Sequence, residues 1–255
     1  MKDVICDLDG VVYRGDVLIP GSDKALRRLE TAGLNVVFAT NNSTRTAEDV
    51  AAKIQKVAGV EVGPHQVVTS AQAAAAVISP SDGPVFVVGE GGIVEALQVA
   101  GMATTESHDS AGVVVVGLCR DLSYALVSDA ASAIRDGARF VATNTDPTFP
   151  TASGLEPGAG AIVAAIAVAS GVEPEIVGKP HSAMRSLIST KVTSDVWVIG
   201  DRIDTDMTMA GSEPAWQSIL VMTGVTTVDD QTERDFVADD LNGAVDLVLG
   251  DDHRQ

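Results

Sequence analysis

The sequence predicts an α/β fold, a doubly wound parallel sheet covered by helices. Three observations carry that prediction. Short apolar, β-branched runs alternate with amphipathic stretches along all 255 residues. The runs are continuous rather than alternating, as in strands buried on both faces of a parallel sheet. Each of five helical stretches is followed by a glycine, where a positive φ is wanted.

In chain order, the apolar run 4–6 opens the chain as a strand. A helix follows from Ser22 to Gly33, with Ser22 as its expected N-cap, and then a strand at 36–39. The stretch from Thr46 to Gly59 opens on Thr46-x-x-Asp49, a capping box with Asp in place of Glu. The alanine-rich segment 71–76 is good helix. Strands at 85–88, 113–116 and 140–142 alternate with helices at 92–101, 123–137 (Ser123 as N-cap) and 160–171. Strands at 175–177, 196–199 and 219–222 complete the set. The acid-rich tail from Thr227, with Asp229, Asp230, Glu233, Asp235, Asp239 and Asp240, reads as a solvated face, and Trp216 as a packing residue in a loop. Turn formers cluster at 79–84 and 171–174, and the segment between them has enough strand–helix units for an inserted domain. Periodicity alone does not choose between an insertion and one large sheet.

Composition narrows the function. Hydrophobic residues make up 45% of the chain, too many for a disordered one. No apolar run reaches the roughly 18 residues of a membrane span, and residues 1–9 run from Met-Lys-Asp into an acidic cluster unlike a signal peptide. A cytoplasmic protein is expected. Seventeen basic against 35 acidic residues give −18, a field that repels nucleic acid and anionic lipid. An anionic substrate would therefore need a local positive site, most simply a metal. The oligomeric state stays open, a homodimer included. Cys6 and Cys119 make neither a disulfide framework nor a zinc pattern, and the four histidines lack ligand spacing.

Four constellations carry chemistry, each at the end of an expected strand, where open α/β sheets bind ligands. Asp7-Leu8-Asp9-Gly10 sets two carboxylates where they repel unless a cation shares them, and Mg²⁺ suits such a pair. Taken alone it also reads as a polar loop after a strand. Thr40-Asn41-Asn42-Ser43 offers a hydroxyl, carboxamides and N–H groups before a helix, a phosphate cradle or an ordinary cap. Gly178-Lys179-Pro180 holds one of only six lysines at a strand end, as a point charge for phosphate or a loop lysine. Gly200-Asp201-Arg202-Ile203-Asp204-Thr205-Asp206 clusters acids as metal ligands, their supports, or helix N-caps. Coincidence of all four on strand ends of one sheet favours the chemical readings.

These motifs, running on through Val11-Val12-Tyr13-Arg14-Gly15, resemble the four motifs of haloacid dehalogenase (HAD) superfamily phosphatases. The resemblance is to the subfamily of 4-nitrophenyl, NagD-like, pyridoxal and phosphoglycolate or glycerol-3-phosphate phosphatases, and covers residues 2–225. Ala142-Thr143-Asn144-x-Asp146-Pro147 and Pro157-Gly158-Ala159-Gly160 look like that subfamily's large α/β cap. The resemblance implies a Rossmann-like core, 1–82 plus 175–255, with a cap inserted at 83–174. The match departs at 211–216, where relatives carry a Gly/Asn/Ala-rich turn.

By resemblance, Asp7 is the nucleophile that becomes an aspartyl phosphate, and Asp9 the acid and then the base. Mg²⁺ would be held by Asp7, the backbone carbonyl of Asp9, and Asp201, with Asp206 behind the metal or Lys179. Thr40, Asn41, Asn42 and Lys179 would hold the phosphoryl group of a small phosphorylated metabolite. A phosphomutase, or a sugar or nucleotide phosphatase of the same superfamily, remains open. A dehalogenase has no use for Asp9. A phosphoacceptor receiver is about half this length and phosphorylates an Asp on a middle strand. A dinucleotide-binding turn at 85–92 lacks the third glycine of its fingerprint, position 94 being Val. Specificity is expected from the 143–150 loop, where Phe149 would project toward the leaving group and favour a small phosphate such as glycerol 3-phosphate or phosphoglycolate. The alternative is that Phe149 packs within the cap.

Overall fold

The computed structural model describes residues 2–151, 154–193, 195–224, 226 and 235–250. These form two compact units, one from residues 1–40, 50–68 and 188–255, the other from 41–49 and 69–187.

In the first unit, β1 (Asp3–Cys6) lies between β4 (Asn35–Thr40) and β13 (Val196–Gly200), parallel to both. Outward from β13 come β14 (Trp216–Val221) and β15 (Phe236–Ala238), both parallel, and outward from β4 comes β5 (Val67–Thr69). Strand order thus reverses at β1, the switch point at which such sheets bind ligands beyond their carboxyl ends. Every residue of β1 and β13 is buried, as continuous apolar runs require. After β1 the chain makes the short hairpin β2 (Tyr13–Arg14) and β3 (Val17–Leu18). Helix α1 (Ser22–Thr31) buries Ala25, Leu26 and Leu29. Its N-cap is Gly21 at φ 89°, not Ser22, whose hydroxyl instead donates to the Val11 carbonyl at 3.0 Å. Helix α2 (Ala47–Ala58), whose first turn belongs to the second unit and the rest to the first, opens as expected, the Asp49 N–H donating to Thr46 Oγ1 at 3.0 Å.

The second unit has its own sheet. Helix α3 (Ser70–Ala76) precedes β6 (Val85–Val88), α4 (Gly91–Val99), β7 (Thr104–Thr105), β8 (Val113–Val116), α5 (Tyr124–Arg135) and β9 (Arg139–Ala142). The hairpin β10 (Thr148–Thr151) and β11 (Gly154–Pro157) follows, then α6 (Ala159–Ser170) and β12 (Glu175–Ile176). Sheet order is β12-β9-β8-β6-β7, all parallel. Phe86, Val114, Val116, Ile134, Phe140, Ile162 and Ile166 fill the core between this sheet and its helices. The strand expected at 175–177 with the first sheet is Glu175–Ile176 and pairs instead with β9, Glu175 opposite Val141 and Ile176 opposite Ala142. Residues 148–150, expected within the 143–150 loop, instead belong to strand β10 despite Pro150.

Helix α7 (Ser182–Ser189) leads back to β13, and α8 (Thr208–Gly211) to β14. Trp216, expected in a loop, begins β14 and is buried. The tail, expected as a solvated face, includes a strand and an amphipathic helix among its described residues 235–250. Helix α9 (Leu241–Leu249) buries Leu241, Ala244, Val245 and Val248, an i, i+3, i+4, i+7 stripe. Asp229, Asp230 and Glu233 lie outside the described residues. No described helix is long and apolar enough to cross a membrane.

Candidate active site

The parallel ladder delivers Asp7 to the sheet's carboxyl edge. Cys6 pairs with Ile199, and the Asp7 N–H still donates to the Ile199 carbonyl at 2.9 Å, so Asp7 is locked by the last rung. On β13, Gly200 ends the strand and Asp201 follows it. Residues Ile203–Met207 then make one π-helical turn, closed by the Met207 N–H on the Arg202 carbonyl at 3.2 Å. Wider than an α-turn, it swings Asp206 back over β13. A Cβ on Gly200 would overlap the Asp206 side chain, so glycine there is what lets the carboxylate in.

Asp7, Asp201 and Asp206 are 9%, 2% and 1% exposed, and each offers a carboxylate oxygen within 4.8 Å of the others. Three anions so close and so buried demand a cation or protons. All the side-chain donors are hard oxygens, the set that suits Mg²⁺ and not a zinc or copper site. The main chain closes in as well. A Cβ on Gly10, itself at φ 90°, would lie 2.5 Å from Asp201 Oδ2, and one on Gly224 would overlap the same carboxylate. The Thr223 hydroxyl donates to the Gly10 carbonyl at 2.6 Å and ties these two loops together. The donor set and its close-fitting walls fit a small divalent ion.

Asp9 is half-buried, stands outside that carboxylate trio, and bridges to Tyr13 through the main chain. Thr40, buried, ends β4 on the same edge as Asp7. Asp204, expected among the acids, is exposed and held by Arg202 at 2.7 and 3.1 Å, which keeps its carboxyl below the ordinary range. Sequence reasoning missed Gly10 and Gly224 as walls of the site. Gly224 is far along the chain from Asp7 and sits in no motif.

Within the second unit, Asn41 and Lys179 come together. Lys179 is buried, its N–H donates to Asn41 Oδ1 at 2.7 Å, and its carbonyl accepts from Asn41 Nδ2 at 3.2 Å. The Asn42 carboxamide oxygen accepts from the Thr44 N–H and hydroxyl at 2.9 and 2.7 Å, an Asx turn. Phe149, half-buried on β10, stacks under the Arg120 guanidinium, 5.5 Å from its ring centre, and Arg120 pairs with Glu90 at 2.8 Å. Gly92 serves packing, since a Cβ there would strike the Arg45 main chain.

Residues 4–103 match the family model described as haloacid dehalogenase-like hydrolase, and residues 176–244 a HAD-hydrolase-like model. An acid sugar phosphatase of Staphylococcus haemolyticus is 36% identical over 253 residues, 96% of this chain and 95% of that protein. The structure of a p-nitrophenyl phosphatase from Archaeoglobus fulgidus superposes with TM-score 0.87 at 32% identity, covering 96% of this chain and 98% of that one. A glycerol phosphate phosphatase from Mycobacterium tuberculosis, solved in complex with magnesium, superposes with TM-score 0.86 at 32% identity, covering 94% and 76%.

Proposed function

The chain belongs to the haloacid dehalogenase-like hydrolases, and we propose that it is a Mg²⁺-dependent phosphatase of small organic phosphomonoesters. The buried trio of Asp7, Asp201 and Asp206 at the switch point of the sheet carries the reading. Relatives named for sugar phosphate, glycerol phosphate and p-nitrophenyl phosphate hydrolysis support the substrate class.

In this reading a carboxylate oxygen of Asp7 attacks phosphorus in line. The phosphorus–oxygen bond to the leaving group breaks, and Asp9 gives that oxygen a proton. Water then attacks the aspartyl phosphate, Asp9 takes its proton, and the Asp7 carboxylate leaves with phosphate released. Asp7, the Asp9 carbonyl, Asp201 and, beyond the expectation, Asp206 would hold the ion. Bound Mg²⁺ supplies positive charge against both the carboxylates and the phosphoryl oxygens. Thr40, Asn41, Asn42 and Lys179 take the phosphoryl-holding part, with Lys179 as point charge. Phe149 is the proposed contact for the leaving group.

A phosphate-release screen over phosphomonoesters with Mg²⁺ tests the class by kcat/KM. Asp7→Asn keeps the shape and removes the attacking oxygen, so turnover of 4-nitrophenyl phosphate should fall by at least about 10³-fold. A variant that keeps more than a tenth of the wild-type rate overturns the assigned mechanism.

A further inference from the structure

We propose that Asn144 is a positioning residue for Lys179, acting through Asn41; this rests on the phosphoryl-holding part proposed for Lys179. The last rung joining β12 to β9 is the Val177 N–H on the Ala142 carbonyl at 3.0 Å. Beyond Ala142 β9 has ended, and Lys179 lies two residues past that rung. The Asn41 carboxamide stands in for the missing strand: it accepts the Lys179 N–H at 2.7 Å and donates to the Lys179 carbonyl at 3.2 Å. One side chain thus meets both main-chain groups of the lysine, as a neighbouring strand would.

Asn41 is fixed in turn by Asn144. Buried at 6% exposure, Asn144 donates through Nδ2 to the Asn41 carbonyl at 2.8 Å and accepts the Asp146 N–H through Oδ1 at 3.1 Å. The turn carrying it is clamped by the start of α6. The Gly160 N–H donates to the Asp146 carbonyl at 3.0 Å and the Gly158 N–H to the Pro147 carbonyl at 2.9 Å. A Cβ at either glycine would overlap that turn's main chain, and a Cβ on Gly178 would overlap the Thr143 carbonyl. The motifs 142–147 and 157–160 therefore converge on the peptide that presents Lys179. A lysine is a flexible point charge, so its position depends on where its backbone is held. Misplacing a charge group by about 1 Å can cost on the order of 10²-fold in rate.

The test is a double-mutant cycle on 4-nitrophenyl phosphate hydrolysis. Asn144→Ala should lower kcat about tenfold and leave KM within about twofold, since the lysine charge matters most as charge builds in transfer. In a Lys179→Met background the same substitution should change kcat less than about twofold, because its effect runs through the lysine. Asn144→Asp keeps the acceptor for Asp146, loses the donor to Asn41, and should behave as Asn144→Ala; it carries the cycle if the alanine variant fails to fold by circular dichroism. A wild-type kcat in both Asn144 variants, or losses that multiply with Lys179→Met, overturns the proposal. A wild-type kcat in Lys179→Met alone overturns the part assigned to the lysine itself, and this inference with it.

Discussion

Asp3 stands at the opposite end of β1 from Asp7 and shows how the first unit anchors the strand that leads to Asp7. Its burial alone would push the carboxyl up. The Thr193 hydroxyl and N–H, 2.6 and 2.5 Å from Oδ2, together with the Asn35 side chain, outweigh that and hold it below its ordinary value. A carboxyl lowered in the folded state adds stability that is fully present above its unfolded value, about 3.9, and is lost as pH falls through the folded one. Thr193→Val removes one donor to a buried carboxylate and should cost about 1.5–3 kcal/mol at pH 7. The gap between variant and wild type should narrow below about pH 4, where protonation removes the charge the hydroxyl serves. Urea unfolding at pH 7 and pH 3 checks this; an equal gap at both would mean that Thr193 acts by packing.

Among the elements, the π-turn and the hairpin were the least legible, and for different reasons. Asp7 and Asp201 could be read from the sequence because each directly follows an apolar run, and a strand end is where a parallel sheet exposes polar groups. That Asp206 comes back beside them depends on the width of one turn, which no spacing rule distinguishes from an α-helical start. Gly200 is the hinge of that argument. Gly200→Ala would set a methyl against the Asp206 side chain and should weaken Mg²⁺ binding at least about tenfold, measured by calorimetry. Wild-type affinity would mean that Asp206 is not a ligand. The hairpin β10–β11 hides behind prolines at 147, 150 and 157, which sequence reading takes as loop formers. The acids of the tail likewise hide the apolar stripe of α9. Phe149 sits on the hairpin beneath Arg120, so its ring is neither free in a loop nor fully enclosed. If it selects the leaving group, Phe149→Ala should shift the ratio of kcat/KM between small and aromatic phosphates by at least tenfold, about 1.4 kcal/mol. Equal effects on every substrate would make it a packing residue.

At the scale of the whole molecule, a net charge of −18 sets two effects of Mg²⁺ against each other. Any salt relieves self-repulsion among exposed acids, so a general rise in Tm with ionic strength is expected and says nothing of a site. A specific ion at Asp7, Asp201 and Asp206, as proposed, would add a second term, since it would bind the folded state and not the unfolded chain. That term reaches about 2.7 kcal/mol when the ion is at 100 times its Kd, and at constant ionic strength it survives while the general effect cancels. The expected result is a higher Tm in millimolar Mg²⁺ than in NaCl of equal ionic strength. EDTA should remove that surplus together with phosphatase activity, and Mg²⁺ should restore both. Ca²⁺ should restore the thermal surplus better than the activity, because its larger, looser coordination sphere binds carboxylates yet aligns an in-line transfer poorly. Asp201→Asn should abolish the surplus while keeping the general salt response, since one buried charge among 35 acids hardly alters the field at the surface. Because the ligands must be deprotonated to bind, the surplus should also shrink as the pH is lowered. A Tm that follows ionic strength alone, equally in wild type and Asp201→Asn, would leave the buried carboxylates without an ion and the metal reading without support.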